Sequence, residues 1–172
     1  MFLEAISAVT LSTGLSLAAD TANTDDCTTL MNSTIASAHK PYTATSTTSG
    51  GGAPTRLSHS VSIGGKLFVE MNGRWILSKM TMSDMANTMQ SEIKTAKMSC
   101  RRLAEGNVGG EAATIYSNHV ENRGNVSDNT LWISKATGLP LRTEVKLKNG
   151  LDIVTVFDYS HFQVPEKYTK QP

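Results

Sequence analysis

The sequence predicts an α+β fold: a highly curved antiparallel β-sheet wrapping an N-terminal helix and one internal helix. Three observations predict it. Period-two alternation fills most of the chain, the mark of half-buried strands. The turns between those strands are short, and short connections force antiparallel neighbours. Only two stretches carry helical periodicity, so those two helices must cover the apolar face of the sheet.

Residues 130–159 carry the clearest strand signal. Leu141, Thr143, Val145 and Leu147 fall on one parity, and Arg142, Glu144, Lys146 and Lys148 on the other. A second apolar run follows with Leu151, Ile153, Phe157 and Tyr159, and Asn149-Gly150 between the runs is a strong hairpin signal. A two-residue loop would set Lys146 opposite Ile153 and mix charge with apolar groups on both faces. A three-residue loop of Lys148, Asn149 and Gly150, with Gly150 left-handed, sets Leu147 opposite Leu151, Val145 opposite Ile153 and Leu141 opposite Phe157. A one-residue slip turns every side chain to the wrong face, so the second register is expected. The turn at residues 136–140 joins a strand around Leu131 to this hairpin, which makes a meander.

From the N-terminus, Cys27, Leu30, Met31, Thr34 and Ala38 form one helical stripe, with Asp25 and Asp26 at the positive end of the dipole. Lys40-Pro41 ends that helix. Residues 42–48 read as an edge-like strand. Leu57, His59, Val61 and Ile63 alternate with serines, Gly64-Gly65 turns the chain, and Asn72-Gly73 turns it again into Arg74-Trp75-Ile76-Leu77. His59 reads as a core histidine with one partner.

Residues 81–97 form the clearest helix. Thr81 and Asp84 are spaced as a capping box, with Asp in place of Glu. Met82, Met85, Met89, Ile93 and Ala96 share one face. Thioethers can ligate soft metals, but one helical face explains the spacing, so these methionines read as adaptable packing. Strands over 98–104 and 111–120 follow, then a loop over 122–128, and a frayed tail after Pro165.

A chain of 172 residues is long enough for one well-cored domain, and a net charge of +1 does not steer it to nucleic acid. Residues 5–19 are uncharged, moderately apolar and too short to span a bilayer; with Ser16-Leu17-Ala18 as a small-x-small site they read as a signal peptide over 1–19, leaving a single domain over 20–172. The stretch before them departs from the pattern, with Glu4 and no Lys or Arg. In an exported chain the two cysteines, Cys27 and Cys100, suggest a disulfide; the alternative is two buried thiols. His39, His59, His119 and His161 are scattered, and no nucleophile or metal motif occurs, so neither an enzyme nor a cofactor or metal is expected.

The first helix, K-P-Y-T-A-T, N-G-R-W-I, the Met-rich helix, E-A-A-T-I-Y and above all L-W-I-S-K-A-T-G-L-P-L-R-T-E resemble the LolA-like superfamily of periplasmic lipoprotein-sorting and lipid-binding proteins. The resemblance spans residues 25–165 and is most specific over 132–144. It implies an incomplete barrel with an apolar cavity, a periplasmic location and a non-enzymatic carrier or binder of a lipid, a lipoprotein acyl chain or another apolar ligand. Trp75, Met82, Met85, Met89, Ile93, Trp132, Leu141, Val145, Ile153 and Phe157 are its expected cavity residues. The implied partners are a lipid or acylated protein, other envelope proteins and the membrane periphery. The second reading is an envelope interaction or sensing module on the same fold, with a core too full to admit a ligand. The arginine by which carriers of the family hold their lid has no assignable counterpart here.

Overall fold

The computed structural model describes residues 24–170, so the expected signal peptide over 1–19 lies outside the described residues. Helix α1 (Thr24–Ser37) leads into β1 (Tyr42–Gly50), β2 (Arg56–Ile63), β3 (Lys66–Met71) and β4 (Arg74–Leu77). Helix α2 (Met82–Thr95) interrupts the strands. Then follow β5 (Lys97–Val108), β6 (Glu111–Asn122), β7 (Asn125–Ser134), β8 (Pro140–Leu147), β9 (Leu151–Asp158) and β10 (Tyr168–Lys170). All ten strands form one open sheet in the order β10-β4-β3-β2-β1-β9-β8-β7-β6-β5. It is antiparallel except where β10 runs parallel to β4. The fold is therefore the expected curved α+β sheet with two helices.

The β8–β9 hairpin takes the register that keeps one face apolar. Val145 pairs with Ile153 and Arg142 with Val156. Gly150 is left-handed at φ +81°, and its N–H donates to the Leu147 carbonyl at 2.9 Å, closing the three-residue loop. Gly50, at the end of β1, meets this loop. A Cβ there would lie 2.1 Å from the Gly150 carbonyl oxygen, on a backbone at φ +88°. Gly50→Ala is therefore expected to destabilise by about 3 kcal/mol, combining left-handed strain with a backbone clash. An unchanged urea midpoint in Gly50→Ala would show that the β1 end and the loop do not meet this way.

Two apolar clusters fill the concave side. Met82 and Ala86 of α2 pack with Ala38, Tyr42 and Ala44, and Leu67, Met85, Phe157 and Tyr159 close around them. Tyr42 meets Phe157 edge-on, with ring centroids 5.4 Å apart. Leu30 of α1 packs with Cys100, Leu131 and Ile133, flanked by Cys27, Met98 and Tyr116. The α2 N-terminus carries the capping box: the Asp84 N–H donates to Thr81 Oγ1, and the Thr81 N–H donates to the Asp84 carboxylate. The Thr81 N–H and the Thr81 hydroxyl, both donating to that carboxylate, hold the exposed Asp84 carboxyl below its ordinary value.

Cys27 and Cys100 are disulfide-bonded, tying α1 to the outermost strand β5. Beside the bond, the Arg102 N–H donates to Asp26 at 2.9 Å, so α1 also occupies part of the β5 edge. The register shift between Arg102 and Ala104 breaks the ladder that β5 forms with β6. Both features blunt an edge that would otherwise template another strand.

Four expectations are corrected. Strand β1, read as edge-like, lies inside the sheet between β2 and β9. The chain after Pro165 is not frayed: Tyr168–Lys170 add β10 to the edge of β4, and the Tyr168 ring meets the buried Phe68 at 4.9 Å. On the way, the Thr43 hydroxyl donates to the His161 carbonyl at 3.2 Å, which fastens the returning tail against β1. A three-residue strand has too few alternations to announce itself. Strand β5 runs on to Val108, and the chain turns at Gly109-Gly110. The polar stretch after Asn122 is a tight turn at Arg123-Gly124, both with positive φ, after which β7 begins at once. Polar residues there face solvent from strands, which composition alone reads as loop.

Candidate ligand cavity

Between α1, the C-terminal half of α2 and strands β5 to β7 lies an open cavity of about 300 Å³. That is at the lower end of the range for small-molecule sites, roughly 300–1,000 Å³. Its wall is mostly apolar. Leu30, Met31 and Ile35 come from α1, Met89 from α2, and Met98, Val120 and Leu131 from the sheet. The helical spacing of Leu30, Met31 and Ile35 turns all three to the sheet, and strand alternation turns Val120 and Leu131 inward.

The polar groups of the cavity are few and specific. Thr34, Glu92, Asn118, Asn122 and Asn125 share the lining. Asn118 Nδ2 donates to the Met98 sulfur at 3.6 Å, which orients the amide. Asn118 Oδ1 and Asn122 Oδ1 are buried without a hydrogen-bond partner among the described residues. No Lys, Arg or His is among the described residues lining the cavity.

The residues expected at a cavity are distributed as follows. Met82, Met85 and Phe157 come together in the cluster at the N-terminal half of α2. Of the ten, Met89 lines the cavity. Ile93 lies in the same helix. Leu141 is buried, and Val145 and Ile153 are cross-strand partners, half-buried, on its side of the hairpin. Trp132 alternates with the buried Leu131 and Ile133 and stands on the convex face, where the Arg142 guanidinium lies 5.1 Å over its ring. Arg142 also pairs with Glu144. Trp75 lines a separate groove with Tyr168 and the returning tail. The cavity residues that sequence reasoning did not single out are chiefly those of α1 and β6. The stripe of Leu30, Met31 and Thr34 on α1 was the available signal.

The wall beside the α2 cluster has a pH signature. Burial pushes the Tyr159 phenol well above its ordinary value, and the neighbouring Tyr42 adds to the shift. Burial raises Tyr42 as well. The Tyr159 hydroxyl donates to the Pro140 carbonyl at 3.0 Å. The folded state therefore favours neutral phenols. Their contribution is complete below the unfolded value of about 10 and is lost as pH rises through that value towards the folded one. Urea midpoints are expected to hold to about pH 9 and fall above about pH 10. In Tyr159→Phe that alkaline fall should be shallower; an equally steep fall would place the responsible group elsewhere.

No family's sequence profile and no curated protein sequence matches the chain. Solved structures do. Lipoprotein LppX of Mycobacterium tuberculosis is 11% identical, with 82% of this chain and 100% of that one covered and a TM-score of 0.50. LprF from Mycobacterium bovis is 7% identical, with 84% and 98% covered and a TM-score of 0.51. A LolA-superfamily protein from Nitrosomonas europaea superposes more loosely, at 11% identity over 74% and 88% with a TM-score of 0.27. The fold of this chain is the one seen in LppX and LprF.

Proposed function

We propose that the protein is a non-enzymatic, periplasmic carrier or binder of a lipid, a lipoprotein acyl chain or another apolar ligand, exported by the segment over residues 1–19. The observation that carries this reading is the apolar cavity of about 300 Å³ under α1 and α2. A filled-core interaction module on the same fold would leave no space beyond a few waters, each about 30 Å³, so the cavity favours the carrier. Thioether-rich walls suit the role, since Met31, Met89 and Met98 can repack around chains of different shape. No helix of the described residues is long and apolar enough to cross a membrane.

The test is uptake of the neutral fluorophore N-phenyl-1-naphthylamine by delipidated protein. Saturable fluorescence enhancement is expected, and Ile35→Trp, which fills the cavity from α1, should abolish it while the circular-dichroism spectrum is kept. Absence of saturable uptake by the wild type would overturn the reading. So would full uptake by a folded Ile35→Trp protein.

A further inference from the structure

We infer that the cavity takes amphiphiles with a cationic head group, such as alkylammonium ions, and that Glu92 at its rim is the partner of that head; this rests on the carrier reading above. Glu92 breaks two local rules. It continues the stripe of Met82, Met85 and Met89 at helical spacing, where an apolar residue is the rule, and it lines the cavity with Met89 and the C-cap Ala96. It also lies in the last turn of α2, where the negative end of the helix dipole disfavours a carboxylate. Departures from local rules concentrate where function sets the residue.

The stripe tolerates an acid there because α2 no longer packs closely. Met82 and Met85 meet the cluster around Tyr42, whereas Met89 and Glu92 border open space. Glu92 is exposed, so its carboxylate stays in water at the rim, and it makes no ion pair among the described residues. The lining offers nothing to offset its charge. No Lys, Arg or His of the described residues lines the cavity, and Lys97, just beyond α2, stands opposite Glu121 of β6. The carbonyl groups that end α2 add to the negative potential at the same place. An apolar chain enters among Leu30, Met31, Ile35 and Met98, and its polar head stays at the rim beside Glu92. An ammonium head brings N–H donors and the opposite charge. A carboxylate head brings acceptors and a like charge.

The experiment is displacement of bound N-phenyl-1-naphthylamine by decylammonium chloride and by sodium decanoate, matched in chain length, at low ionic strength and pH 7, where both are ionised. Decylammonium is expected to displace the probe at a concentration roughly fivefold lower than decanoate, the scale of an exposed charge pair. That preference should shrink to within about twofold in Glu92→Gln, and likewise in the wild type at about 1 M salt, where the screening length is about 3 Å. Decanoate displacing the probe at the same or a lower concentration overturns the inference while leaving the cavity reading intact. A preference unchanged in a folded Glu92→Gln protein, or unchanged by salt, overturns it too. Failure of both compounds to compete would sink both readings, since an apolar cavity should admit a decyl chain under either head. The wild-type salt series decides by itself if the variant does not fold.

Discussion

Loss of the Cys27–Cys100 bond is expected to lower the unfolding free energy by about 4 kcal/mol. The bond closes a loop over a sequence separation of 73. In the chain-entropy model, a loop of that length removes roughly 4 kcal/mol of conformational freedom from the unfolded chain. Total stabilities of about 5–15 kcal/mol make this a large share. The effect should also be local. Cys100 is buried beside Leu30, and both belong to the cluster that holds α1 on the sheet. Freed of its tether, α1 is held by its packing and by polar contacts such as that of Asp26 to β5. Urea titration of the Cys27→Ser/Cys100→Ser protein against the oxidised wild type measures the loss, and wild type in strong reductant should reproduce it. Coincident unfolding curves would show that the bond does not form in solution.

Met82→Asp is the substitution expected to do most damage in α2, costing about 3–5 kcal/mol. Met82 is 3% exposed and lies against Tyr42, Ala44 and Ala38. A carboxylate there would be buried among apolar groups without a partner, at a cost of several kcal/mol beyond the lost packing. Asp is not intrinsically alien to this helix, since Asp84 two residues on sits exposed and completes the capping box. The difference is burial alone. Met85, half-buried on the rim of the same cluster, should tolerate Asp better than Met82 does. Thermal unfolding of the two variants checks the order; Met85→Asp the more damaging would mean that α2 is rotated about its axis.

The sequence by itself determined the class of the fold and much of its local grammar. Alternation from Leu141 to Leu147, set against Leu151 to Phe157, admits only one register with a continuous apolar face, and that register is the one formed. The capping box at Thr81 and Asp84 was legible because a cap is satisfied within four residues. The disulfide was suggested by an even pair of cysteines, one of them on the apolar stripe of α1. Tertiary structure decided where the ligand space lies. Met82 through Met89 share a helical face, yet that face divides: Met82 and Met85 fill a packed cluster, and Met89 borders open space. Periodicity reports which side of a helix is apolar, and it cannot report whether the facing wall is in contact or set back. Trp132 shows the same limit from the strand side. An aromatic at strand spacing reads as core, but its parity with Arg142 puts it on the convex face under a guanidinium. The outline of the cavity depends on where α1 and α2 sit against β5 to β7, and that is fixed by contacts between residues far apart in the chain. Local rules act over a turn or a hairpin, whereas a cavity is the space that several distant elements fail to fill.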